Sequence, residues 1–217
     1  MSTKEIRKNI NELFRSHLRR AANNLGRASS LLQLYYDLNK GKRGRKRTEQ
    51  TDILRSAVVF LHATLEDYLR SVASVYLPQA NAESLNDIPL LGSTDTGRAE
   101  KFSLGKLSSF RGKTVEEVIT ESVHSHLSRT SFNNIHDIVH LLTSMSISTK
   151  RIEQYFPELE KMIKRRHQIV HNADLMERPF KGVQKPSSID YAQVKKWINT
   201  LTGFTSSLMA ELINTKT

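Results

Sequence analysis

Apolar residues recur in steps of three and four through most of this chain, and that period leaves the helix as its dominant regular structure. From Thr3 to about Asn39, the positions Ile6, Ile10, Leu13, Phe14, Leu18, Ala21, Leu25, Leu32 and Tyr35 fall on one helical stripe. A basic turn at 40–50, with Gly41 and Gly44, ends that helix. A second helix is expected from Thr51 or Asp52, both competent N-caps, to about Leu77 before Pro78. Two long helices joined by a short turn imply an antiparallel hairpin. Residues 78–112 carry Pro78, Pro89 and four glycines and read as an irregular insertion.

Helices resume at 115–127, with Thr114 as N-cap, and at 135–145. Phe156-Pro157-Glu158 opens another, with proline in the first turn and an acid at the positive end of the dipole, running to about Asp174. A loop at 178–186 precedes a last amphipathic helix at 189–213 with Trp197, Phe204 and Leu208. No internal repeat or strand alternation is visible. The expected fold is all-α, a bundle of long antiparallel helices with a long N-terminal helix and an irregular insertion around 78–112. Residues 1–50 form a basic helix and turn packed on a helical domain at 51–217, one structural domain overall.

Composition narrows the chemistry. The chain has 217 residues and no cysteine, which excludes disulfides, thiolate metal sites and a cysteine nucleophile. No apolar run reaches signal-peptide or membrane-span length, so the chain reads as a soluble cytoplasmic protein with no membrane partner. Its net charge of +11 is uneven, about +9 over residues 1–50 and +2 over the remainder. Lys40, Lys42, Arg43, Arg45, Lys46 and Arg47 crowd the turn. Such a run either contacts phosphate backbones or is a solvated loop; charge alone does not choose.

The 157–174 helix holds the candidate site. Leu159, Ile163, Arg166, Val170 and Ala173 share one narrow stripe, so an arginine stands in an apolar row. A core-facing guanidinium is costly unless it is paired, snorkels, or faces a wet cleft or subunit seam. Glu66 and Asp67 are candidate partners; the functional alternative is phosphate binding, which the planar fork suits. His167 and His171 flank the stripe, and His171 lies about 140° around the helix from Arg166. Each histidine alone is more often structural; together with Arg166 they suit proton transfer at a ribose hydroxyl.

Other patterns carry less. His136 and His140 in HDIVH have zinc-ligand spacing, but Asp137 replaces the glutamate and no third ligand follows; no metal or cofactor is expected. His124 and His126 read as surface residues. No phosphate-binding glycine loop, dinucleotide fingerprint or nucleophile-elbow serine occurs. The aromatics Tyr35, Tyr36, Phe60, Tyr68 and Tyr76 sit at helical spacing and read as core.

The string RHQIVHNAD at 166–174 resembles the Rx4–6H motif of the HEPN superfamily. HATLEDYLR within the second helix, and SFNNIHDIVHLLTSMSI ahead of the motif helix, are similar to its RiboL-PSP-like branch, so the resemblance covers about 51–215. It implies a helical bundle, a homodimer with motif helices meeting in a cleft, and RNA as partner. It also implies a metal-independent endoribonuclease of toxin or phage-defence type, with a possible antitoxin or activator. Attack by a 2′-OH would leave 2′,3′-cyclic phosphate and 5′-OH ends. By this resemblance His171 is general acid or base, Arg166 stabilises the phosphate, and His167 orients either. Glu66 and Asn172 support them, and Arg165 joins the basic turn in holding the RNA backbone. Ala173 stands where toxins paired with nucleotidyltransferases often carry a modifiable tyrosine, which argues against that neutralisation. A non-catalytic HEPN-like dimer that binds RNA or protein, or a nucleotide-sensing regulator, are the other readings.

Overall fold

A computed structural model describes residues 3–42, 44, 46–91, 104–172, 174 and 186–214, with the side chains of 3–14, 104, 106 and 214 excepted. Arg43, Arg45, Ala173 and part of the 78–112 insertion lie outside the described residues. The main helices are α1 (Thr3–Asn39), α2 (Thr48–Tyr76), α3 (Ala82–Leu85), α4 (Val115–Arg129), α5 (Ile135–Ser144), α6 (Phe156–His171) and α7 (Tyr191–Asn214). Short 3-10 helices sit at Leu77–Gln79, Leu104–Phe110 and Glu153–Tyr155. Among the described residues there is no strand, and the fold is an all-α bundle. No described helix is long and apolar enough to cross a membrane.

The central element is α2, which packs against α1, α4, α6 and α7. Leu54, Val58, Leu61, Leu65, Leu69 and Val72 repeat at three- and four-residue steps and are fully buried. Tyr68 and Tyr76 reach out from α2 and donate their hydroxyls to the Thr205 and Leu212 carbonyls of α7. Burial pushes the Tyr76 phenol up to about 12, so it remains a donor at any physiological pH. Ala21, Leu25, Ala28, Leu32 and Tyr35 bury the inner face of α1 against this core.

The turn after α1 needs backbone that only glycine adopts cheaply. Gly41 and Gly44 have φ of 75° and 93°, reversing the chain toward α2 within a few residues. α2 begins at Thr48, earlier than the sequence suggests. The Gln50 side chain caps its first turn by accepting from the Arg47 amide at 3.1 Å. Thr51 and Asp52, which read as caps, instead accept from Arg55 at 2.6 and 3.1 Å. The Thr114 cap of α4 is present, with Glu117 closing a reciprocal capping box.

Two contacts seat α6 at its start. Glu158 accepts from Lys161 at 2.7 Å and lies 2.9 Å from Lys196 on α7, which holds its carboxyl down to about 2. Just ahead of α6, Tyr155 packs against Gly203 of α7, where an added Cβ would stand 2.6 Å from the ring. The Tyr155 hydroxyl meets Ser207 Oγ at 3.1 Å, and its ring packs edge-on to Phe204.

Gly203→Ala should therefore lower stability by about 1–2 kcal/mol in a denaturant titration, although alanine is the better helix former. Tyr155→Leu in the same chain should recover part of that loss, because it removes the collision. Glu158 loses its stabilising charge as pH falls from its ordinary 4.5 through about 2. Glu158→Gln should accordingly lower the melting temperature at neutral pH and flatten the decline over that acid window.

Candidate functional site

The end of α6 is tied down by one buried carboxylate. Asp174 is 2% exposed and sits in left-handed backbone, φ 59°, a conformation that aspartate tolerates better than most residues. Its Oδ2 accepts from Arg55 Nε of α2 at 2.5 Å and from Arg165 Nη2 of α6 at 2.8 Å. Arg165 Nη1 approaches Oδ1 to 2.5 Å, off the hydrogen-bonding direction. Both guanidinium groups also donate to the Ser187 carbonyl, at 2.9 and 3.1 Å, on the segment that leads into α7. Three parts of the chain are thus pinned at one point.

Arg165, expected among the contacts to the RNA backbone, donates to Asp174, Ser187, Ser188 and Gln168 within the chain. Burial lowers its pKa, and the Asp174 charge partly restores it. It is an architectural residue. Its neighbour Arg166 points elsewhere: half-buried, it makes no hydrogen bond or ion pair among the described residues.

Neither acid proposed as a partner takes Arg166. Asp67 is gripped by Arg20 of α1 through contacts of 2.8 and 2.9 Å. Glu66 lies 3.4 Å from Arg70, accepts from the Phe132 amide at 3.2 Å, and faces His62 Nδ1 at 3.9 Å. Arg166 instead acts on His62 at a distance, its charge adding to burial in lowering that imidazole's pKa.

The stripe holding Arg166 is buried only in part. Leu159, Met162 and Ile163 are in the core, whereas Val170 is 48% exposed. Beyond Arg166 the apolar row leaves the core and emerges on the surface. His167 and His171 are both exposed beside it, with ring centroids 4.5 Å apart. Asn172 closes the helix by donating its amide to the Gln168 carbonyl, and its side chain is exposed. This end of α6 therefore presents a guanidinium with no partner among the described residues, an exposed valine in the same row and, further round the helix, two tilted imidazoles side by side.

The basic turn stands at this same end of the bundle. Arg55, which holds Asp174, lies eight positions after Arg47, roughly 12 Å along the α2 axis. Lys40, Lys42 and Arg47 are exposed there, while Lys46 donates to the Lys42 carbonyl and Arg47 lies 3.4 Å from Glu49. Arg27 of α1, which charge counting passed over, stacks 4.6 Å above the Phe60 ring. A 440 Å³ groove beside it runs between α2 and α6 over Ser56, Val59 and Ile169.

Three other histidines collect away from this end. His126, His136 and His140 line a 350 Å³ cleft with Asp87 and Asp137. Among the described residues no group of three or more His, Asp or Glu side chains is placed to hold a metal ion. Asp137 is occupied as well, accepting from the Asn133 amide.

A family described as RiboL-PSP-HEPN matches residues 22–214. The chain belongs to the RiboL-PSP-HEPN family. The match begins inside α1, so the family's domain takes in the second half of the helix that the motif resemblance leaves aside. HEPN domains often bind RNA and form dimers, and membership supports an RNA-related role of HEPN type. No curated protein and no solved structure matches the chain.

Removing the carboxylate that fastens the motif helix should be severe. Asp174→Ala leaves Arg165 without an acid and Arg55 with only the exposed Asp52, and should cost about 3–5 kcal/mol by chemical denaturation. Asp174→Asn retains an acceptor and the tolerance for left-handed backbone and should lose clearly less.

Proposed function

We propose that this chain is a metal-independent endoribonuclease that works as a homodimer through its motif helices. The observation that carries the reading is the free Arg166 guanidinium, set in an apolar row and bordered on one α6 end by His167 and His171. An unpaired half-buried cation is expensive to keep in a fold that pairs Arg20, Arg55 and Arg165 with acids. A phosphate is the ligand that repays its fork geometry.

The emergence of Val170 at the surface supports the dimer. A second copy of α6 laid over that row would cover it and bring the partner's imidazoles toward Arg166, bridging the 140° offset within one helix. In the reaction, the 2′-oxygen bonds to phosphorus while the bond to the 5′-oxygen breaks. A histidine takes the 2′-hydroxyl proton and an acid protonates the leaving 5′-oxygen. Arg166 stabilises the added charge on the non-bridging oxygens. His171 is assigned to proton transfer and His167 to its orientation. Lys40, Lys42, Arg43, Arg45, Lys46 and Arg47 serve capture of the RNA backbone. Such an enzyme suits a toxin or antiviral-defence system in which an antitoxin restrains it or an activator switches it on.

One feature favours a second reading, an RNA- or protein-binding HEPN dimer without cleavage. Neither exposed imidazole is oriented by a hydrogen bond among the described residues. Incubation with RNA in EDTA separates the two. The nuclease should yield cyclic-phosphate ends, and Arg166→Ala or His171→Ala should slow cleavage by about a hundredfold or more. Unchanged rates in both variants would refute the assignment. Binding without cleavage, with a salt slope flattened by neutralising the basic turn, would establish the second reading.

A further inference from the structure

The central helix leaves one of its faces uncovered. Asp52, Ser56, Val59 and Ala63 follow at steps of four, three and four and are all exposed, whereas Leu54, Val58, Leu61 and Leu65 are fully buried. Ser56 and Val59 make the floor of the 440 Å³ groove between α2 and α6. Phe60 lines one side, with the Arg27 guanidinium of α1 4.6 Å from its ring centre, and Ile169 of α6 lines the other. Asp52, Arg55 and Asp174 close one end.

The two ends differ in charge. At the closed end the Asp52 side chain is 57% exposed and gives Oδ1 to Arg55, while its Oδ2 and the Ser56 hydroxyl accept or donate nothing among the described residues. Phe60 lies eight positions further along α2, about 12 Å away. There Arg27 rests on the ring without an acid among the described residues. Arg166 stands one turn of α6 before Ile169, on the side away from the Asp174 cluster. An occupant of this groove has apolar faces, N–H donors at one edge and negative charge at the other end. A nucleotide of an RNA strand has all three, since any base stacks on an apolar wall and an arginine takes its phosphate.

We propose that this groove is a nucleobase subsite, seating the base beside the phosphate held by Arg166, and that Asp52 makes it prefer guanine. The proposal rests on the reading of Arg166 as the phosphate-binding group. Asp52 offers a carboxylate, which only accepts, and Oδ1 keeps a second lone pair beside its bond to Arg55. Guanine turns two adjacent donors, N1–H and its 2-amino group, toward such a carboxylate. Adenine and cytosine set one amino donor beside a ring nitrogen that a carboxylate repels, and uracil sets one N–H between two carbonyls. Arg27 then holds the strand's backbone from the α1 side, its fork kept in place by the Phe60 ring.

The test measures binding apart from cleavage. Fluorescein-labelled 2′-O-methyl oligouridylates, which lack the nucleophile, carry G, A, C or U at one central position, and their affinity for the full chain is read by anisotropy. The G oligomer should bind about tenfold tighter than the U oligomer. Asp52→Asn keeps an acceptor for Arg55 but turns a donor toward the base, and should shrink that preference to about twofold or less while leaving the U oligomer's affinity unchanged. Val59→Phe fills the floor at an exposed position and should weaken the G oligomer to the level of the U oligomer. Equal affinity for all four guests, or a guanine preference that survives Asp52→Asn, overturns the proposal. So does a Val59→Phe chain that binds RNA as before but shifts its monomer–dimer balance in sedimentation, because the groove is then a subunit seam. The same guests with 2′-hydroxyls separate this proposal from the nuclease reading. Base preference without cleavage sinks the nuclease and leaves the subsite, and cleavage indifferent to the guest base does the reverse.

Discussion

The fold's functional end hangs on the Asp174 carboxylate. It lies between Arg55 and Arg165, and the Ser187 carbonyl accepts from both arginines. A hydrophobic plug could fill the same space as stably. It would not fix direction as a carboxylate shared by two forked cations does. The cluster joins α2, the end of α6 and the approach to α7, and so sets the rotation of α6 on the core. That rotation decides which residues face inward and which face solvent. Leu159, Met162 and Ile163 go to the core, and His167, Val170 and His171 go to the surface.

Adjacent arginines meet opposite fates as a result. Arg165 and Arg166 differ by one helical step of about 100°, enough to bury the first in an ion cluster and leave the second without a partner among the described residues. Their neighbours follow the same economy of pairing. Arg20 holds Asp67, Arg70 holds Glu66, and Lys161 and Lys196 hold Glu158. Against these satisfied charges, Arg166 has no such partner among the described residues, and the exposed His167 and His171 pair lies near it on α6. The exposed lysines of the α1–α2 turn stand at the same end, so long-range attraction and short-range chemistry would act on one strand without a large movement.

Much of the architecture was legible because helices are local. The part of the α1 apolar stripe from Ala21 to Tyr35, the proline at the start of α6 and the Thr114 cap each act within a few residues, and each appears where its pattern places it. The start of α2 was less legible. Thr51 and Asp52 have the chemistry of caps, but Arg55 recruits both, and Gln50 does the capping. Val170 is a sharper case. Periodicity says that it shares a face with Ile163, but not that the face outruns the core before reaching it.

By itself the sequence determined the helical class, the absence of thiol chemistry and the motif that marks the family, since these depend on residue type and short spacing. It brought Arg166, His167 and His171 together on one turn and a half of helix for the same reason. Only the tertiary structure decided that Arg165 is paired and that Arg166 has no partner among the described residues. That choice rests on Asp174 meeting Arg55 across 119 residues, and on Glu66 and Asp67 being claimed by other cations. Burial and ion pairing are properties of neighbours brought together by folding, and no spacing along the chain contains them.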